Sequence, residues 1–157
     1  MPLDARAFRS AMGSLANGVT VISVVDEHDR PMGMTATAVC SLSLEPPLLL
    51  VCVGHEGALH DLITRAPWFG VLVLAADQRD LAERFATRGR QAFDADGPRT
   101  PARLPRLPGV VATIDCRRRA VFEGGDHSIV TGELEWADVA GGAPLLHQSG
   151  VYARLAP

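Results

Sequence analysis

The chain has 157 residues, 47% of them hydrophobic and 21% charged, which is enough apolar material for one domain with its own core. A formal net charge of −3 gives no electrostatic reason to bind nucleic acid. All fifteen basic residues are Arg, so neither a Schiff base nor a Walker-type phosphate loop can form; a bound phosphate must rely on Arg, hydroxyls or backbone N–H groups.

From Asp4 to Ala16 the residues Phe8, Met12 and Leu15 fall at i, i+4 and i+7 behind Asp4 as an N-cap. That spacing predicts an amphipathic helix, stopped by Asn17-Gly18. Val19 to Val25 is almost wholly β-branched and predicts a strand, with Asp26 to Pro31 as its hairpin loop and Met32 to Val39 as the return strand. Pro46-Pro47 cannot sit inside a central strand and marks the entry to the next one, Leu48 to Val53. Gly54 to Gly57 reads as a loop, Ala58 to Arg65 as a short helix and Phe69 to Leu74 as a buried strand. Asp77 is the expected cap of a helix running through Arg88, with Leu81 and Phe85 on one face. Gly89 to Pro108, with four prolines, reads as a long surface excursion. Val110 to Cys116 and Ser128 to Trp136 are strand candidates flanking a Gly124-Gly125 turn, and Val151 to Leu155 is expected to close the sheet.

Strands separated by hairpins, with short peripheral helices, predict a mainly β, antiparallel, Greek-key-like barrel. No G-x-G-x-x-G string supports a Rossmann sheet. Cys40, Cys52 and Cys116 are odd in number, lie in apolar surroundings and lack C-x-x-C spacing, which favours buried thiols in a reducing compartment. Met1 to Arg9 has no apolar run of signal-peptide length and no segment approaches the roughly 18 residues of a membrane span, so a soluble, cytoplasmic protein is expected. His55 and His60 are five apart rather than the four that place two imidazoles on one helical face, and no metal site is expected. Arg117-Arg118-Arg119 reads as a solvated edge or subunit contact, and Trp68 and Trp136 as packing residues.

Three strings carry more: Gly33-Met34-Thr35-Ala36-Thr37-Ala38, Ser41 through Pro47, and Gly124-Gly125-Asp126-His127. A Gly followed by small side chains lets a backbone lie close to a flat ligand and offer it N–H groups. With Phe8-Arg9, Gly18-Val19, Val51-Cys52-Val53, Asp77-Gln78, Arg84-Phe85-Ala86, Gly132-Glu133 and Pro144-Leu145-Leu146, these strings resemble the flavin reductase-like family over nearly the whole chain.

The resemblance implies an FMN-binding split barrel, usually a homodimer, that reduces FMN or FAD with NADH or NADPH and supplies the reduced flavin to a separate oxygenase. Carried over residue by residue, Met34, Thr35, Ala36, Thr37 and Ala38 would line the flavin, while Cys52, Val53, Gly54, Gly57 and Ala58 would approach its ribityl and phosphate portion. Arg84 and Phe85 would lie near the same pocket; on the reading in which flavin is a weakly held substrate, Arg84 and Arg88, one helical turn apart, supply the phosphate charge. His127, its tautomer fixed by Asp126, and Tyr152 resemble residues near the nicotinamide, His127 in a catalytic role. The chain departs from the family at His55-Glu56-Gly57-Ala58, where hydroxyl anchors for a phosphate are common, at Ala38, where Ser is frequent, and at Leu72, where Asn is frequent. Those departures suit weak flavin binding, or a second reading in which the barrel binds flavin or another ligand without reductase turnover, as a carrier or for a different reaction.

Overall fold

The computed structural model describes residues 4–89 and 91–156. Its helices are α1 (Ala5–Gly13), α2 (His60–Arg65) and α3 (Arg79–Ala86). The strands are β1 (Asn17–Gly18), β2 (Thr20–Val25), β3 (Pro31–Ala36), β4 (Val39–Leu44), β5 (Pro47–Gly54), β6 (Trp68–Val73), β7 (Gln91–Ala92), β8 (Ala112–Gly124), β9 (His127–Val139), β10 (Leu146–Gln148) and β11 (Val151–Ala153). Eight of them form one sheet in the order β4-β5-β9-β8-β6-β2-β3-β7, and β1, β10 and β11 form a separate small one. All the pairings are antiparallel. The mainly β, antiparallel split barrel expected from the sequence is the observed fold.

The large sheet wraps an interior of Ile22, Val24, Met32, Leu49, Val51, Val53, Phe69, Val71 and Val130, closed at one end by Leu59 and Ile63 of the α2 region. A second cluster, Val19, Val21, Leu72, Leu74, Ala82, Phe85, Phe93, Val110 and Leu145, lies outside the barrel beneath α3. Because β2 has both faces covered, its β-branched run is buried from Thr20 to Val24 rather than alternating. Leu72, where the family often has Asn, belongs to this outer cluster and is fully buried.

Several expectations are corrected. The first helix ends at Gly13, and none of its residues is buried: Phe8, Met12 and Leu15 remain about half exposed, at 55%, 48% and 53%. The return strand stops at Ala36, since Thr37 and Ala38 leave the β2 ladder; the Ala38 carbonyl instead accepts from the Cys52 N–H (2.9 Å), and the chain continues as β4. Gln78, not Asp77, heads α3: its side chain accepts from the Ala75 N–H (2.9 Å) and donates to the Pro108 carbonyl (2.8 Å). That helix stops at Ala86 because Thr87 turns to extended backbone. The strands β8 and β9 run well past the expected ranges to meet at the Gly124–His127 turn. Val151–Ala153 joins the small sheet and not the barrel.

The excursion is only partly a surface feature. Phe93, Thr100 and Leu104 are buried, and β7 pairs with β3. Beneath it lies one cross-strand row, Gly33, Ser23, Gly70 and Asp115. A Cβ on Gly33 would stand 2.5 Å from the Phe93 ring, so that glycine lets the excursion lie flat on the sheet, whereas a Cβ on Gly70 would strike Ser23 Oγ, so that one makes room for the adjoining strand's hydroxyl. Asp115 ties it down by accepting from the Ala102 N–H (3.2 Å).

Candidate functional site

Where β3, the turn before α2 and the end of α3 meet, they enclose a cavity of about 410 Å³. Met34 and Thr35 come from β3, residues 56–59 from the turn, and residues 85–89 from the end of α3 and the chain beyond it. Thr35 fastens strand to helix, its hydroxyl donating to the Ala82 carbonyl (2.7 Å). The turn is tight: the Gly57 N–H donates to the Gly54 carbonyl (2.9 Å), and the His60 N–H to the Gly57 carbonyl (3.0 Å). A Cβ on Gly57 would sit 2.9 Å from the Gly54 carbonyl oxygen, so at this point the cavity wall is backbone of necessity. Volume and lining fall in the range of small-molecule sites, which are concave and carry few polar groups.

The β8–β9 turn stands beside that wall. Gly54 pairs with His127, and a Cβ on Gly54 would lie 3.4 Å from His127 Nε2. His127 Nδ1 is 2.7 Å from Asp126 Oδ1, which puts the neutral ring's proton on Nδ1 and leaves Nε2 an acceptor. The hydrogen bond from His127, and then its charge, hold the Asp126 carboxyl below its ordinary value. Asp126 also accepts, through its carbonyl, from the His55 N–H (3.0 Å), coupling the hairpin to the turn. Behind them Ser128 Oγ lies 2.9 Å from His60 Nε2 and 3.3 Å from His55 Nε2. Among the described residues no cluster of three or more His, Cys, Asp or Glu is placed to hold a metal, and no helix is long and apolar enough to cross a membrane.

The residues singled out in the sequence are divided among several places. Met34, Thr35, Gly57, Ala58 and Phe85 line the cavity; Gly54 and His127 flank it. Ala36 and Val53 face the barrel interior, and Cys52 is half-buried, its thiol pushed up by burial and by Cys40. Thr37 and Ala38 line a different cavity, about 350 Å³, under α1. Arg84 reaches away: its Nη2 donates to the Ala92 carbonyl (2.7 Å) and its guanidinium lies 5.1 Å from the Phe85 ring centre. Tyr152 sits in the small sheet against His147 and Arg79. The face of Gly33 is occupied by Phe93 and Phe85, not left open to a ligand. Leu59, Thr87 and Gly89 line the cavity without having been expected to. The β-branched Thr87, two residues ahead of Gly89, is a local signal that the helix gives way there.

Residues 12–156 match the family model described as the flavin reductase like domain. The chain belongs to this family. It is 36% identical over 151 residues to an FMN reductase (NADH) of Agrobacterium fabrum, covering 96% of this chain and 86% of the relative. Among solved structures, the flavin reductase component of a bacterial two-component tryptophan halogenase is similar at 35% identity and a TM-score of 0.89, over 98% of this chain and 99% of that one. An NADH:FAD oxidoreductase of Streptomyces globisporus, solved in complex with NAD and FAD fragments, is equally similar at 35% identity and TM-score 0.89, over 100% of this chain and 96% of that one.

Proposed function

We propose that this protein is an NADH-dependent flavin reductase that reduces FMN or FAD and passes the reduced flavin to a separate oxygenase component. Relatives of this description support the reading, among them the reductase component of a 4-hydroxyphenylacetate 3-monooxygenase of Thermus thermophilus, 36% identical over 151 residues. The observation that carries it is the cavity beside Met34, Thr35 and Gly57, a backbone cradle that a Cβ at Gly57 would disrupt. Its donor set fits a flavin: an apolar floor for the ring, bare main chain on one wall and a guanidinium at Arg88.

The chemistry the bound nucleotides supply is hydride transfer from nicotinamide C4 to flavin N5. The protein's own part is to hold and orient. Met34 and Phe85 offer apolar surface for a ring, and the tight Gly54–Gly57 turn admits close approach. His127, with Nε2 left as acceptor by Asp126, is suited to receive a hydrogen bond from the carboxamide of a nicotinamide entering over Gly54. The apolar face of α1 and the exposed apolar residues near β4, such as Leu44 at 90%, are the surfaces we assign to a homodimer contact. The three free cysteines fit a cytoplasmic location.

Mixing the purified protein with NADH and adding FMN, FAD or riboflavin in turn tests the reading through nicotinamide absorbance. Turnover that depends on added flavin is expected. A protein that binds flavin yet never oxidises NADH would instead be a ligand-binding barrel. His127→Ala is expected to lower turnover at least tenfold while flavin affinity changes less than twofold; equal losses in both would remove His127 from the nicotinamide side.

A further inference from the structure

Within the cavity, among the described residues, only two side chains are charged: Glu56 on the turn before α2 and Arg88 beyond the end of α3. Both are exposed, and neither makes a hydrogen bond or ion pair with another described residue. Their neighbours are committed elsewhere. Arg84 donates to the Ala92 carbonyl, and Arg79 is paired with Glu83 at 2.7 Å. The turn itself supplies no hydroxyl, because Gly57, Ala58 and Leu59 follow Glu56.

We propose that Arg88 is the residue that binds the phosphate of the flavin, and that Glu56 keeps that binding weak by opposing the same negative charge. The inference rests on the flavin reductase reading of this cavity. A guanidinium free of partners presents its fork of donors to a phosphate without first breaking another bond. A carboxylate across the same few hundred cubic ångströms raises the energy of a phosphate dianion while leaving a neutral flavin untouched. The pair therefore makes the site selective by charge: phosphate-bearing flavins feel both residues and riboflavin feels neither. Opposition by Glu56 also favours release, which suits a flavin handed on after reduction.

Titrating the purified protein with FMN and with riboflavin, following flavin fluorescence, tests this without turnover. Arg88→Gln is expected to weaken FMN about tenfold and change riboflavin less than twofold, since one charge-assisted contact is lost. Glu56→Gln is expected to tighten FMN about threefold and again leave riboflavin unchanged. FMN bound by Arg88→Gln as tightly as by the parent, or FMN and riboflavin weakened together, would overturn the assignment while leaving the reductase reading intact. A parent protein that binds neither flavin would overturn the reductase reading, and this assignment with it.

Discussion

The sheet's outer face under residues 91–108 and the apolar mouth beside β4 begin from similar material and end differently. On the outer face the row Gly33, Ser23, Gly70 and Asp115 is flat enough for the chain's own excursion to settle on it, Phe93 over Gly33 and Leu104 near Gly70. At the mouth, Val71, Ile114 and Leu134 continue the barrel interior into an apolar cavity of about 410 Å³ bordered by Leu44 and Leu48. Here Leu44 stays 90% exposed. The lesson is that glycine placement, more than hydrophobicity, decides which apolar surface a chain can cover by itself. A surface left bare is the one a second chain is suited to cover.

Breaking the covered side should give the largest effect. Leu104, on the excursion, is fully buried against the sheet, and Leu104→Ala is expected to cost about 3 kcal/mol in urea unfolding; a loss below about 1 kcal/mol would mean the excursion rests loosely. Gly33→Ala drives a methyl into Phe93 and toward Phe85 (3.1 Å), so we expect about 2 kcal/mol of destabilisation. Because Phe85 also lines the cavity proposed for the flavin, flavin affinity should fall with it. Unchanged affinity would separate the two.

The bare side is broken by Leu44→Glu, which is expected to weaken self-association at least tenfold in sedimentation and leave the unfolding midpoint of the monomer nearly unchanged. The smallest effect concerns Asp115. Burial raises its carboxyl above the ordinary value, against hydrogen bonds from Thr100 and Ala102 that pull it down. A raised value means that the folded state binds the proton more tightly than the unfolded one. Its contribution is fully present below about pH 4 and is lost as pH rises through the folded value. Asp115→Asn should flatten that slope, and an unaltered pH profile of stability would show the carboxyl to be ordinary.

Much of this was readable residue by residue. Asp4 does cap α1, its carboxylate accepting from the Ala7 N–H (2.7 Å). Pro47 does open β5, and Gly124-Gly125 does turn β8 into β9. The family strings pointed to Met34, Thr35, Gly57, Ala58 and Phe85, which meet in one cavity. What the strings could not carry was direction. Thr37 and Ala38 lie just past Ala36 on the same string as Thr35, yet open onto another cavity, because the chain leaves the β2 ladder after Ala36. Arg84 and Arg88 are one helical turn apart by spacing, but the helix ends at Ala86; Arg88 lines the cavity, while Arg84 is not among its lining residues and donates to the Ala92 carbonyl.

By itself the sequence determined the all-Arg basic complement, the antiparallel strand content, the turns and the family, since each depends on residue type and short-range spacing. The tertiary structure alone decided that Gly33 makes room for Phe93 and not for a ligand, and that Glu56 and Arg88 share a cavity. Those outcomes depend on contacts between residues far apart in the chain. Only the packed sheet fixes which of them come within reach.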